Sequence, residues 1–231
     1  MPAMWMGPFA RWTPPRAIAI AATGAALVGA AGPARAEDAP LVAPLTTDDA
    51  LALDRGEVVK RPFDPDLPGG VHVGGLSYAV IAAEPADVWR ALLDVTSYRT
   101  MLPLTMEARE VGRAGDERWV VLRHGVRWAS IEYTAHVVPG PDRTVRFWLD
   151  PRHPHEVDDA WGFFRVEPWP GGRTLLAYGA VVDLGGGFAG LFFKEKIRRH
   201  ALETPRLVRR FVEAHRAPAG VAVAPRVPLA P

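Results

Sequence analysis

Five residues able to bind a metal or move a proton crowd into one short stretch: His153, His155, Glu156, Asp158 and Asp159. A His-x-His pair on a strand turns both rings to one side, as a zinc or iron site requires. Pro151 and Pro154 make the stretch a bend instead, and no third ligand is identifiable elsewhere in the chain. A solvated turn is therefore expected here, and no metal. Glu132 and His136 stand four residues apart on a predicted strand, so they share one face. Pointed inward they would make an acid/base pair. Arg123 and Arg165 are the other strand charges capable of such work, and Ser77, Ser97 and Ser130 lack the G-x-S-x-G setting of an activated serine. Gly185 to Gly190 spells G-x-G-x-x-G. A dinucleotide site built on that motif needs a following parallel strand that ends in an acid. This chain runs from the motif into its last helix, so the glycines are expected to form a lip, and no cofactor is expected.

The elements around these residues decide what they face. Residues 71–82 read as a strand. Pro85 occupies a favoured first helical position, and Val88, Ala91 and Leu92 recur at helical spacing until 94–97 ends the helix. The period then falls toward two over 105–111, 118–124, 127–138 and 144–149, with turns expected at Gly115-Asp116, Gly125-Val126 and 139–142. A last hairpin covers 161–167 and 173–183. Ala129, Ile131, Tyr133, Ala135 and Val137 share an apolar face opposite Ser130, Glu132, Thr134 and His136, and Val145, Phe147 and Leu149 repeat it. That alternation directs Glu132 and His136 outward. An apolar sheet face needs a cover, and the one long amphipathic segment left is 188–215. Phe193, Ile197, Ala201, Val208 and Val212 lie near one stripe of it, and Pro205 should kink or divide it after Thr204.

The ends of the chain have a different character. Residues 1–36 carry Arg11, Arg16 and Arg35 with no acid, an apolar run over 17–31, and the small-x-small sequence Ala34-Arg35-Ala36. That is the pattern of a secretory signal peptide, with Glu37 as first mature residue; the apolar run is short for a membrane anchor. The whole chain has 27 basic and 26 acidic residues. Without the three leader arginines, 24 bases face 26 acids, a formal charge of −2, so a nucleic-acid partner is not expected. There is no cysteine, which excludes disulfides, thiolate chemistry and thiolate-bound metal. A periplasmic or secreted protein fits. Residues 37–70 read as an N-terminal extension, with Thr46 and Asp49 spaced to cap a short helix that stops at Gly56. Residues 216–231 read as a disordered tail.

The carriers of a family resemblance are the helix from Pro85 to Asp94, then Tyr98 and Leu102-Pro103 leading into a strand. The later strand Gly162 to Glu167, its partner Arg173 to Tyr178 entered through Gly171-Gly172, and the closing helix complete the set. Over 71–215 the chain resembles the START and polyketide-cyclase/lipid-transport (SRPBCC) superfamily, which includes the birch-pollen-allergen fold. The resemblance implies an α+β helix-grip fold, with a curved seven-stranded antiparallel sheet around a long C-terminal helix. It also implies a cavity for a hydrophobic small molecule or lipid. Ile131, Tyr133 and Phe147, with Tyr178, Phe193 and Ile197, are the candidate lining, the tyrosines supplying polar tips. A solid core made by the same residues remains the alternative. Phe188, Leu191 and Phe192 are the candidate cavity lip, with transient membrane contact as a further expectation. A binding or transport role is expected ahead of a cyclase- or hydrolase-type enzyme acting in the same space, because no catalytic signature transfers residue by residue.

Overall fold

The computed structural model describes residues 44–63, 70–185 and 188–215, apart from the side chains of Ala129 and of 188–193. The leader, the tail, and Gly186 and Gly187 of the glycine motif lie outside the described residues. The elements run α1 (Thr47–Asp54), β1 (Val59–Phe63), β2 (His72–Ile81), α2 (Pro85–Leu92), a 3-10 turn (Val95–Ser97) and α3 (Tyr98–Met101). Then follow β3 (Thr105–Ala114), β4 (Glu117–Val126), β5 (Ala129–Pro139), β6 (Thr144–Leu149), β7 (Asp159–Trp169), β8 (Arg173–Asp183), α4 (Phe188–Ala201) and α5 (Thr204–His215).

The strands form one open antiparallel sheet in the order β1-β2-β8-β7-β6-β5-β4-β3. It has eight strands where seven are expected, because β1 from the N-terminal extension pairs with β2 and lengthens that edge. A second departure follows from the first. Both faces of β2 and β8 are buried along nearly their whole length, although the alternation suggests one wet face. On the outer side, Leu53 of α1 packs with Leu76, Tyr78, Phe163 and Leu175, and with Val59 and Phe63 of β1. The extension is thus an outer cover for the middle of the sheet. Polar contacts fasten it: Lys60 pairs with Glu203, and Asp54 accepts from Trp169 Nε1 and Arg173, each at 2.9 Å, while Arg61 pairs with Asp49 within the extension. Thr46 caps α1, its hydroxyl accepting from the Asp49 amide while the Asp49 carboxylate accepts from the Thr46 amide. Gly56, at φ +81°, lets the chain leave the helix in a left-handed turn.

On the inner side the closing helix breaks, as Pro205 requires. A proline ring cannot follow four helical residues without clashing with a carbonyl, so α4 ends at Ala201 and α5 restarts at Thr204. The Thr204 hydroxyl donates to Ala201 O at 2.7 Å and braces the bend. The two halves treat the sheet differently. Val208 and Val212 of α5 are buried among Ile81, Leu92, Met101, Val166 and Leu176, a solid core. The half under α4 stays hollow.

Candidate functional site

Between α4 and the inner faces of β4 to β8 lies a cavity of about 410 Å³. Its wall is built by alternation. Ile131, Tyr133, Ala135 and Val137 project from β5 on one face, and Val145 and Phe147 from β6 continue it. Tyr178 of β8 and Ile197 of α4 close the far side. Of the six candidate lining residues, Ile131, Tyr133, Phe147, Tyr178 and Ile197 therefore border one space. The side chains of Phe193, and of the candidate lip residues Phe188, Leu191 and Phe192, lie outside the described residues; their backbone belongs to α4. Solid core and cavity, posed as alternatives, divide the interior between them at the helix break. Phe147, Phe164 and Tyr178 pack as an aromatic trio with ring centroids 4.9–6.3 Å apart. Phe147 reaches that position because Gly162 opposite it has no side chain; a Cβ there would stand 2.6 Å from Phe147 Cζ.

The polar members of the wall are few. The pattern-based reading passes over one of them, His124, near the end of β4. Its Nδ1 lies 3.0 Å from Thr105 Oγ1 and 3.3 Å from Pro103 O, and its Nε2 lies 3.3 Å from Tyr133 Oη. The His124 and Tyr133 rings stack at 5.7 Å. Burial pushes the His124 pKa down, so the imidazole is neutral at pH 7, although the Pro103 carbonyl acts the other way. Burial likewise raises the Tyr133 phenol and carries Tyr178 and Tyr98 up to about 12. All three tyrosines stay protonated. The one available signal for His124 is register: it is the partner of Ile131 across the β4–β5 ladder, and Ile131 is a lining residue.

The mouth opens where β4 turns into β5. The turn lies at Arg127-Trp128, two residues beyond the expected Gly125-Val126, because β4 continues to Val126 with Gly125 in an extended left-handed conformation (φ +144°). That shift places Trp128 at the hairpin tip, 81% exposed. Leu104, at φ +55°, stands beside it with its carbonyl held by the Gly125 amide at 2.8 Å. Leu104, Val126 and Trp128 all border the cavity and face solvent, with Lys196 on the α4 side.

The other candidate chemistry lies elsewhere. His136 faces outward, stacked on Trp119 at 4.4 Å and edge-on to Trp148 at 4.6 Å, its two cross-strand neighbours. Its carboxylate partner is Glu117 at 2.9 Å, not Glu132, which approaches Arg123. His155 Nδ1 donates to Val157 O, the Glu156 carboxylate accepts from the Glu132 amide, and His153 lies 3.5 Å from Asp150. Among the described residues no group of three metal-capable side chains forms.

This arrangement of an antiparallel sheet and a closing helix recurs in solved structures. The Zhui aromatase/cyclase of Streptomyces sp. R1128 superposes with a TM-score of 0.55 at 19% identity, over 65% of this chain and 99% of that one. A STAR-related lipid transfer protein of Xanthomonas axonopodis gives 0.51 at 16%, over 67% and 98%. A START superfamily protein of Mycobacterium smegmatis gives 0.52 at 15%, over 61% and 97%. The chain has the START-like (SRPBCC) helix-grip fold. Its eighth strand, β1, lengthens the sheet at one edge, and α1 covers the outer face. Neither protein-family models nor curated proteins match the sequence.

Proposed function

We propose that this START-like protein holds an apolar small molecule, of the lipid class, in the cavity under α4, and that it does so as an exported carrier. The observation that carries the reading is the cavity itself: about 410 Å³ walled by Ile131, Val137, Val145, Phe147 and Ile197. At about 24 cal/mol per Å³, such a space left dry would cost about 10 kcal/mol, as much as a domain's whole stability. Water relieves little of that where the wall offers few polar groups. An apolar guest relieves most of it. The STAR-related lipid transfer neighbour supports a lipid as guest. The leader pattern of residues 1–36 supports export. The apolar rim of Leu104, Val126 and Trp128 supports transient contact with a membrane, through which a lipid would pass.

The direct experiment is native mass spectrometry of protein expressed with its leader, followed by organic extraction and N-terminal sequencing. A carrier yields a bound apolar species and an N-terminus at Glu37. Protein that carries nothing and fails to bind N-phenyl-1-naphthylamine would end the proposal. A second reading, a cyclase-type enzyme, draws on the contact between His124 and Tyr133 inside the cavity and on the aromatase/cyclase neighbour. Recovery of the extracted species unchanged after prolonged incubation with protein favours the carrier; its conversion favours the enzyme.

A further inference from the structure

Along part of the cavity wall the polar hydrogens are committed within the protein: those of Tyr98, Thr204, His124 and Tyr133. Tyr98 donates to Leu92 O at 2.9 Å. Thr204 donates to Ala201 O at 2.7 Å. At His124 the neighbours fix the tautomer. Pro103 O, 3.3 Å from Nδ1, can only accept, so a bare Nδ1 would meet it lone pair to lone pair. The hydrogen therefore sits on Nδ1, shared between Pro103 O and Thr105 Oγ1, and the Thr105 hydroxyl turns to Pro103 O. Nε2 is left bare and accepts from Tyr133 Oη at 3.3 Å. Burial keeps the ring neutral, so no second hydrogen competes for that position. His200 on α4 repeats the pattern, its Nδ1 donating to Lys196 O at 2.7 Å. Ser130, Lys196 and the Trp128 indole, whose side-chain donors have no partner among the described residues, stand at the exposed mouth.

We propose that the cavity selects apolar molecules carrying a hydroxyl or N–H donor, because Tyr133, its hydrogen held by His124, presents oxygen lone pairs to the guest and no free hydrogen. This rests on the ligand-binding reading and gives it a chemical class. A hydroxyl-bearing guest finds an acceptor inside. A ketone, ester or carboxylate placed at the same depth meets oxygen with oxygen and loses the hydrogen bond it had in water.

Three probes with one aromatic body test the selection: 2-naphthol, 2-methoxynaphthalene and 2-acetonaphthone, titrated into the full-length protein by fluorescence. The readout is the ratio of dissociation constants within each protein, so a general loss of affinity in a variant cancels. The naphthol is the most water-loving of the three, so partitioning alone ranks it last. We expect it to bind about tenfold more tightly than either of the others. In the variant Tyr133→Phe the ratio should fall below about threefold. Nitrogen-15 NMR of His124 should show the hydrogen on Nδ1. Acetonaphthone binding as tightly as naphthol, a preference that survives in Tyr133→Phe, or a hydrogen on Nε2 would each overturn the selection. Equal binding of all three probes removes the selection and leaves the ligand-binding reading standing. Failure of all three, together with N-phenyl-1-naphthylamine, removes both.

Discussion

Replacing Ala201 with phenylalanine sets the hollow and the solid interior against each other by sign. Ala201 is the last residue of α4, half-buried, and borders the cavity. A phenyl ring attached there has a 410 Å³ space to enter. It would bury about 150 Å² of new apolar surface, worth about 4 kcal/mol at 25 cal/mol per Å². Helix propensity and lost rotamer freedom together take back about 1 kcal/mol. The net gain of about 3 kcal/mol corresponds to a melting temperature higher by roughly 6–12 °C for a domain of this size. The ring also occupies space the guest needs, so affinity for N-phenyl-1-naphthylamine should fall at least about tenfold. Were the interior solid at this point, overpacking would instead cost about 1–3 kcal/mol. The assay is differential scanning fluorimetry on ligand-stripped protein, paired with dye titration. A lower melting temperature with undiminished dye binding would refute the argument from volume.

Other changes reach different links of the chain from sequence to function. Asp150, with a side chain only 3% exposed, accepts from Trp119 Nε1 at 2.7 Å and from the Arg152 amide and Nε at 3.0 and 2.9 Å. Asp150→Ala leaves the half-buried indole donor without its partner and should cost about 2–4 kcal/mol by urea unfolding; a loss under about 1 kcal/mol would contradict that role. Gly162→Ala places a methyl against the Gly179 carbonyl and the Phe147 ring. It should lower stability by about 1–3 kcal/mol and weaken dye binding together, by tilting Phe147; a neutral variant would show the wall to be soft. Burial holds the His124 pKa below its ordinary 6.5. Its contribution to stability is thus complete above pH 6.5 and lost as pH falls through the lower folded value. In His124→Gln the decline in stability below that pH should be shallower by up to about 1.4 kcal/mol per pH unit, and parallel curves for the two proteins would refute the assignment. Trp128→Ser should reduce co-sedimentation with phosphatidylglycerol vesicles about tenfold, and an unaltered bound fraction would remove the rim from any membrane contact.

Much of the architecture was legible residue by residue. Pro85 at a first helical turn, the Thr46/Asp49 capping pair and the break at Pro205 are each local: a missing amide, a hydroxyl three residues before an acid, a ring that clashes with a carbonyl. The alternation in β5 correctly turns Ile131, Tyr133, Ala135 and Val137 to one side. It could not show that β2 and β8 are buried on both faces, because the cover comes from α1 and β1, more than a hundred residues from β8 in the chain. The β4–β5 turn was misplaced for a physical reason as well. Gly125 signals a turn, yet its φ of +144° serves an extended strand whose amide reaches Leu104.

The sequence by itself determined the helix-grip order of elements, the inner apolar face of β5 and β6, and the break in the closing helix. These follow from side-chain period and backbone sterics, which act within a few residues. Tertiary structure alone decided that α5 fills its half of the interior while α4 leaves its half open. It also decided that His124 meets Thr105 and Tyr133, so that the Tyr133 hydrogen is held within the protein. Volume and hydrogen-bond partnership are sums over side chains brought together from distant strands. No window of the chain contains those sums until the sheet has wrapped around its helix.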